Sequence, residues 1–356
     1  MKVLKYTHNF PLVILILAFC LVLSGCNVNI GTTGSSSNSP TCQGNCSTGN
    51  GVQGVQVYVE PDAGEHVITD AIHSAHKSVW LEIYLLSDRN VIRALEDAAN
   101  NGVDVRVMLE LHPVGGGTSP QRTIDQLKAA GIQAQATSPD FPLTHEKGMI
   151  IDGTTAYIMT SNFTRSALGG YSGSSGSTNR EYGIIDTNPQ DVQAVAAIFQ
   201  ADWNRTQPQF NDPNLVVSPI NSRNAFLSLI NSAHSSLLIE AEEMQDSEIE
   251  QAIISTAHRG VHVEVILPSS NGSSDSNSEG ISILQSGGVQ VREDTRLYMH
   301  AKIIIVDGSK AFVGSENIST QSLDQNRELG IIVSDSNVLN RLQSTFQMDW
   351  GDSQGA

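Results

Sequence analysis

The chain has 356 residues, with 37 Asp and Glu against 20 Lys and Arg, and its formal net charge is −17. This length allows two domains, and the 39% hydrophobic content indicates a globular protein rather than a disordered chain or a protein with several membrane spans. Because non-specific phosphate contacts need clustered Lys and Arg, the acidity disfavours nucleic acid as a partner. A small basic pocket within the acidic surface remains compatible with this charge.

The first 25 residues have the pattern of an export signal. Lys2 and Lys5 precede an apolar run, Pro11–Leu23, which is shorter than the roughly 20 residues of a membrane-spanning helix. The run leads into the tetrapeptide LSGC, which resembles a bacterial lipobox and ends at Cys26. We therefore predict cleavage of a signal peptide at 1–25, lipidation of Cys26 and a membrane-anchored location in the bacterial cell envelope. An uncleaved signal anchor and a cleaved soluble export signal are the alternatives.

Residues 26–54 are rich in Gly, Ser, Thr and Asn and contain almost no large apolar side chain. Such a composition cannot offset its ordering entropy, so we predict a flexible tether. Cys42 and Cys46 lie within it, and an exported chain would permit a disulfide between them. Beyond the tether we predict two lobes, at 55–210 and 211–356.

An internal duplication with a period of about 155 residues occupies the chain from Val55 onward, too long a period for a solenoid repeat. The segment Ala75–Glu82 matches Ala233–Glu240, and Asn101–Leu109 matches Arg259–Leu267. The two halves are therefore expected to be copies of one domain.

Each half alternates helical and strand patterns. A helical apolar face is formed by Val67, Ile68, Ala71, Ile72 and Ala75. Val79–Leu85 then has the length and apolar character of a buried strand, Asp88 is placed to cap the next helix, and Val103–Leu109 alternates as a strand does. Alternating units with buried strands predict an α/β fold with one α/β sandwich in each half. The Gly- and Ser-rich stretches 169–178 and 269–278 are predicted to be surface loops.

One polar constellation, with the spacing His-x-Lys-x4-Asp-Gly, occurs in both halves. It comprises His145, Lys147 and Asp152 in the first half and His300, Lys302 and Asp307 in the second. Because residues two apart on a strand point to the same face, each half would present one imidazole beside one ammonium group. Packing of the two halves would bring both pairs to one cleft. There the cations would neutralise the oxygens of a phosphodiester, while one imidazole attacks phosphorus and the other protonates the leaving alcohol.

The two constellations resemble the HKD motifs of the phospholipase D superfamily, and the likeness covers nearly all of Val55–Trp350. The resemblance implies a two-lobed fold with the active site at the lobe interface, a phosphohistidine intermediate, and no cofactor or metal. It implies His145 as the nucleophile and His300 as the general acid, although these two roles could be exchanged. Lys147 and Lys302 would hold phosphoryl oxygens. Further candidates are Thr160, Asn162, Ser315 and Asn317 for phosphate binding, and Glu181 and Glu328 for orienting the imidazoles. Asp152 and Asp307 suit a supporting place in a turn.

The first half departs from the family pattern Gly-Ser-x-Asn that follows the motif. The second half has Gly314 and Ser315 in this pattern, whereas the first half has Met159 and Thr160. Thr160 keeps a hydroxyl group, but Met159 replaces a glycine that would allow a close backbone approach. We expect this change to reshape the pocket or slow turnover.

The predicted function is that of a monomeric phospholipase D-type hydrolase, which cleaves a phospholipid of the membrane surface to phosphatidate and a head-group alcohol. The membrane tether and the acidic body favour this substrate class. An exported nuclease is the main alternative, with a local cationic track formed by Arg165, Arg180, Arg292 and Arg296. A phosphatidyl transferase and a non-catalytic surface lipoprotein are the other two alternatives.

Overall fold

The structure is a computed structural model that describes residues 49–114, 119–170, 178–269 and 275–356. The predicted signal peptide, Cys26 and the Cys42–Cys46 pair lie outside the described residues, as do residues 171–177 and 270–274 of the two predicted loops. Within the described ranges, no helix combines the length and the apolar character that a membrane span requires.

The first half contains strands of four to eight residues together with four helices within the described residues. In chain order the elements are β1 (Gln56–Glu60), α1 (His66–His73), β2 (Ser78–Ile83), α2 (Arg89–Asn100), β3 (Asp104–Leu109), α3 (Pro120–Ala129), β4 (Gln133–Ala136), β5 (Lys147–Ile151), β6 (Thr155–Met159), β7 (Asn179–Asp186) and α4 (Pro189–Asn204).

The second half repeats this order with a few short additions. Its elements are β8 (Leu215–Ser218), α5 (Ser222–Asn231), β9 (Ser236–Ala241), β10 (Met244–Gln245), α6 (Ser247–His258), β11 (His262–Pro268), α7 (Ser278–Ser286), β12 (Gln290–Asp294), β13 (Tyr298–Met299), β14 (Lys302–Val306), β15 (Lys310–Gly314), β16 (Ile318–Ser319), α8 (Thr320–Asp324), β17 (Glu328–Val333), α9 (Ser336–Asp352) and β18 (Gln354–Gly355).

The two large sheets have the same topology. The strand order is β1-β7-β6-β5-β2-β3-β4 in the first sheet and β8-β17-β15-β14-β9-β11-β12-β18 in the second. In each sheet the strands that alternate with helices are parallel, whereas the strands that follow the His-Lys motif are antiparallel. The predicted α/β architecture with one sheet in each half is therefore confirmed, and the repeated order follows from the duplication.

Alternation along the strands creates three apolar clusters. In β5, Met149 and Ile151 join the cluster that packs under α1, α2 and α3, whereas Ile150 faces the opposite way. Ile150 belongs to a central cluster that also contains Ile303 and Ile305 of β14 and side chains of α4 and α9. The third cluster packs α5, α6 and α7 on the second sheet. The two halves thus share one core in addition to having a core each.

The predicted local elements of the first half are present. Helix α2 begins after Asp88, whose carboxylate accepts hydrogen bonds from the backbone amides of Asn90 and Val91. The buried positions of α1 include Ile68, Ala71 and Ile72, as the helical periodicity predicts. These matches follow from strong local signals, namely a capping residue and a continuous apolar face.

The last residues of the predicted tether differ from the prediction. Val52 is only 4% exposed and forms a parallel bridge with Val333 of β17. The backbone amide of Gly49 donates to the carbonyl oxygen of Pro213, and that of Gly54 donates to the Asp335 carboxylate. Residues 49–54 therefore pack on the second half, because burial of one valine and several backbone hydrogen bonds offset their ordering entropy.

The chain entering each His-Lys motif pairs with the opposite half. The backbone amide of His145 donates to the carbonyl oxygen of Arg327 at 2.9 Å, and the amide of Arg327 donates to Leu143 at 3.0 Å. Correspondingly, β13 pairs in parallel with the start of β7, with Met299 opposite Arg180. This crossed backbone pairing fixes where each motif lies relative to the other half.

Two buried arginines also connect the two halves. Arg180 of β7 donates to both carboxylate oxygens of Asp349 in α9, at 2.6 and 2.7 Å, and both side chains are 1% exposed. Arg327 pairs with Asp202 of α4 in the same crossed manner. Each ion pair therefore joins a residue of one half to a residue of the other.

Replacement of Asp349 tests the importance of this buried pair. Asp349→Ala leaves the Arg180 guanidinium buried without its counter-ion, so we expect the free energy of unfolding to fall by roughly 3–5 kcal/mol. The matched control is Asp62→Ala, which removes the exposed ion pair with Arg341 and should cost less than about 1 kcal/mol. Urea unfolding monitored by circular dichroism measures both changes, and equal losses in the two variants would contradict the assignment.

Candidate active site

The two motif lysines are the first residues of β5 and β14 and are almost completely buried. The Lys147 ammonium donates to the carbonyl oxygen of His145 at 2.5 Å, and Lys302 donates to that of His300 at 2.8 Å. Each lysine therefore lies beside its own motif histidine, as the two-residue spacing on a strand predicts.

Each histidine is held by a glutamate of the other half. The His145 Nδ1 atom lies 3.0 Å from Oε2 of Glu328, and the His300 Nδ1 atom lies 2.8 Å from Oε1 of Glu181. In both bonds the imidazole donates, because an ionised carboxylate can only accept. Sequence reasoning proposed these two glutamates as orienting residues but did not foresee that each acts across the lobe interface. The bond at Nδ1 leaves Nε2 as the reactive ring nitrogen.

Burial sets the protonation of the first pair. It lowers the pKa of His145, and the carboxylate of Glu328 only partly opposes this effect. Burial also lowers the pKa of Lys147, to about 7. Burial would raise the pKa of Glu328, but its contacts with His145, Lys147 and Ser322 together outweigh burial and lower the pKa. The arrangement can therefore present a neutral His145 with a free lone pair at Nε2.

Thr160 and Ser315 do not reach the cleft. The Thr160 hydroxyl donates to Oε2 of Glu181 at 2.6 Å, and the Ser315 hydroxyl accepts from the backbone of β17 at 3.0 Å. In the second half it is Ser322 that donates to Glu328, at 2.7 Å. Both predicted phosphate ligands are therefore fully buried, and their hydroxyl groups are engaged by Glu181 or by the backbone of β17.

Asn162 and Asn317 remain near the surface of the site. Each is 6% exposed, and the side-chain oxygen of each is buried without a hydrogen-bond partner among the described residues. An amide oxygen cannot donate to a phosphoryl anion, so a contact of either asparagine with phosphate would have to come from its Nδ2 hydrogens.

Asp152 and Asp307 lie at the far ends of β5 and β14, away from the histidines. The Asp152 carboxylate accepts hydrogen bonds from three successive backbone amides, of residues 76–78, and Asp307 does the same for residues 234–236. Both aspartates have a left-handed backbone, with φ of 55° and 53°. Their position ties the turn after each motif strand to the neighbouring strand, so the structure does not bring them into the His-Lys cluster.

Met159 points into the core rather than into the cleft. Its side chain is buried in the first-half cluster together with Phe163 and Leu168. At the equivalent Gly314, an added Cβ would lie 2.4 Å from the Cα atom of Gly330. The glycine is thus needed for close strand packing in the second half, and the first half solves the same packing differently.

Three residues at the site were not foreseen from the sequence. The Tyr84 ring packs edge-on against the His145 ring at 4.7 Å, and the Tyr298 ring lies 6.2 Å from that of His300. The third is Glu242, whose carboxylate lies in the cluster. An alignment of the two halves could have identified two of these residues. Tyr84 and Glu242 are equivalent, because each lies two places beyond the matched segments.

A cluster of acidic residues lies beneath the site. Ligand oxygens of Glu82, Glu146 and Asp202 are all within 4.8 Å of one another, and Arg327 pairs with Asp202 at 2.9 Å. These buried carboxyl groups could hold a cation or protons, and burial raises the pKa of Glu146 to about 8. Gly148 makes room for this group, since an added Cβ would lie 2.7 Å from Oε1 of Glu146.

Three of the four arginines of the proposed cationic track are held in other contacts. Arg180 is buried in its ion pair with Asp349, and the guanidinium of Arg292 stacks over Trp350 at 4.4 Å. Arg296 pairs with Asp352. These arginines stabilise the closing helix of the second half, because its acidic and aromatic side chains face them.

The raised pKa of Glu146 predicts a pH-dependent stability. Between the ordinary value near 4.5 and about 8, the folded protein binds this proton more tightly than the unfolded chain, so stability falls as pH rises through that window. Glu146→Gln removes the carboxyl group whose ionisation causes this loss of stability. We expect the difference in melting temperature, variant minus wild type, to increase from pH 5 to pH 8.5 in differential scanning fluorimetry. A difference that is constant with pH would show that Glu146 is ionised throughout.

The fold and the site define a class. Two α/β lobes with paired His-Lys motifs at their interface are the arrangement of the phospholipase D superfamily. The family profile described as "Cardiolipin synthase, PLD-like domain" matches residues 68–203 and 226–350. The chain therefore belongs to this family.

Curated relatives carry a consistent name. The chain is 26% identical over 337 residues to a cardiolipin synthase of Oceanobacillus iheyensis, covering 83% of this chain and 68% of that one. It is 25% identical over 334 residues to a probable cardiolipin synthase of Bacillus subtilis, covering 82% of this chain and 65% of that one. The chain thus spans about two thirds of the length of these relatives.

A solved structure supports the fold. The phosphatidylserine synthase of Haemophilus influenzae Rd KW20 superposes with a TM-score of 0.64 at 12% identity, covering 86% of this chain and 88% of that one. At this identity the likeness concerns the two-lobed fold alone.

The prediction of a lipid-degrading phospholipase D hydrolase is wrong, because the curated relatives are named synthases. The physical reason for the error is that the motifs specify how a phosphodiester is attacked. They do not specify whether water or a lipid hydroxyl group accepts the phosphatidyl group afterwards.

Proposed function

We propose that the protein is a phosphatidyl transferase of the cardiolipin synthase type. It would move the phosphatidyl group of one phospholipid to a hydroxyl group of a second phospholipid. The family match and the names of the relatives support transfer to an alcohol, and the site geometry supports the chemistry of the transfer.

The observation that carries this proposal is the crossed pair of imidazoles. His145 and His300 each have Nδ1 bound to a glutamate of the other half, and a buried lysine lies beside each of them. The glutamates fix the tautomer and the direction of the rings, so that both Nε2 atoms are available for one phosphorus centre. The lysines supply the positive charge that a phosphoryl group needs.

In the first step, Nε2 of His145 attacks phosphorus and forms an N–P bond. The bond from phosphorus to the head-group oxygen breaks, and His300 transfers its Nε2 proton to that oxygen. In the second step, the hydroxyl group of the acceptor lipid attacks phosphorus and the N–P bond breaks. The hydroxyl proton passes to His300, which restores both histidines to their starting state.

We further propose that the protein acts at a membrane to which Cys26 attaches it. The apolar run and the LSGC tetrapeptide support export and lipidation. Attachment would keep the site close to both lipid substrates, whose hydroxyl-bearing head groups lie at the membrane surface.

A lipid assay tests the proposed transfer. The purified full chain is incubated with vesicles that contain isotope-labelled phosphatidylglycerol, and the products are identified by mass spectrometry. We expect a lipid with two phosphatidyl groups to form together with an equal amount of free glycerol. Formation of phosphatidate without the two-phosphatidyl product would refute transfer.

An activated substrate separates the two histidine roles. With a nitrophenyl phosphatidyl ester, the leaving group needs no proton, so His300→Ala should still form the covalent phosphoenzyme. His145→Ala removes the nucleophile and should reduce labelling at least about 1,000-fold. Intact-mass spectrometry of the acid-labile adduct measures both. Labelling of the His145→Ala variant and its loss in His300→Ala would reverse the assignment.

A further inference from the structure

The two halves differ at one position of the site. When the matched segments Ala75–Glu82 and Ala233–Glu240 are extended by two residues, Tyr84 of the first half is equivalent to Glu242 of the second. On the first side, a neutral aromatic ring packs against His145, and the Tyr84 hydroxyl accepts a hydrogen bond from the backbone amide of Val114. On the second side, the equivalent place holds a carboxylate.

Glu242 occupies the cationic part of the site. Its Oε2 atom accepts a hydrogen bond from Lys302 at 2.7 Å and lies 3.4 Å from Nε2 of His300. Its Oε1 atom accepts from the Tyr298 hydroxyl at 3.2 Å. Burial alone would raise the pKa of Glu242, but the positive charges of His300 and Lys302 outweigh it and lower the pKa well below the usual range. Glu242 is thus an anion bound where phosphoryl oxygens would bind.

The same contact distinguishes the two histidines. Nδ1 of His300 lies 2.8 Å from a carboxylate oxygen of Glu181 and Nε2 lies 3.4 Å from one of Glu242, so each ring nitrogen has a carboxylate close to it. His145 has a carboxylate only at Nδ1, from Glu328. A general acid needs a proton on its reactive nitrogen, and a carboxylate beside that nitrogen favours the proton electrostatically.

The surrounding ionisable groups come from both lobes. Those that face the pair of His300 and Glu242 are Tyr84, His145, Lys147 and Glu181 of the first half and Glu243, Tyr298, Lys302 and Glu328 of the second. Among the second-half groups, Glu242 alone combines a contact to the Lys302 ammonium with one to the reactive nitrogen of His300 within the described residues.

We propose that Glu242 is a positioning residue that keeps a proton on Nε2 of His300 and fills the Lys302 side of the phosphate site until a phosphodiester displaces it. This role rests on the proposed transfer function. When the substrate arrives, one anion replaces another at Lys302, so the local charge is conserved. The Nε2 proton, no longer attracted by Glu242, is then available to the leaving oxygen that lies in its direction.

Inorganic phosphate tests the occupation of the site without any turnover. Isothermal titration of the full chain at pH 7 compares wild type with Glu242→Gln, and Glu243→Gln is the matched control because it removes the same charge one residue further on. Without the competing carboxylate, phosphate should bind about tenfold more tightly to Glu242→Gln. The control should stay within about twofold of wild type, since it leaves the Lys302 contact intact. Equal affinities for the two variants would overturn the inference.

A pH profile tests the effect on His300. In the vesicle assay, Glu242→Gln should lower KM for the donor lipid and move the alkaline limb of kcat/KM to lower pH, because a neighbouring carboxylate favours the protonated imidazole. An alkaline limb that superimposes on that of wild type would overturn this part of the inference. If no transfer occurs at all, the proposed function fails, and the phosphate titration still decides the role of Glu242.

Discussion

The crossed bonds between glutamate and histidine are the constraint on which the site depends. Glu328 of the second half holds His145, and Glu181 of the first half holds His300. Neither half therefore contains an oriented imidazole by itself. The backbone pairing of His145 with Arg327, and of β13 with β7, sets the register that makes these bonds possible.

The shared core and the buried ion pairs also hold the two halves in a fixed relative position. Ile150 of the first sheet and Ile303 of the second meet in one cluster, and Arg180 joins β7 to Asp349 in α9. These contacts are long-range in sequence and buried, so they resist relative movement of the halves. In the proposed transfer this alignment matters, because Nε2 of His145 would attack phosphorus while Nε2 of His300 protonates the leaving oxygen.

The copies have diverged where the chemistry needs asymmetry. A phosphodiester exchange needs one neutral nucleophile and one protonated acid, although the duplication began with two equivalent histidines. Tyr84 beside His145 and Glu242 beside His300 provide different surroundings for the two rings. Beneath the site, the first half has Glu146 and Gly148 where the second has Ala301 and Ile303, which adds a buried carboxyl group on one side only.

Much of the fold and part of the site could be predicted from the sequence. The duplication, the cap at Asp88 and the two His-Lys pairs are local signals, and the structure contains each of them. The bonds between each histidine and a glutamate of the other half could not be predicted, because they depend on how the two sheets pack. The position of Thr160 could not be predicted for a related reason, since a motif lists residue types without stating which way each side chain points. Asp152, in contrast, lies in the turn that the sequence predicted. The hydrolase prediction failed because the residues of the motif do not specify which group accepts the phosphatidyl group.

The most direct test of this account is nitrogen-15 NMR of the histidine rings in the full chain, with His145→Ala and His300→Ala used for assignment. Glu328→Gln should shift the Nδ1 resonance of His145 and leave that of His300 in place, whereas Glu181→Gln should do the reverse. If each substitution shifted the histidine of its own half instead, the crossed arrangement would be refuted.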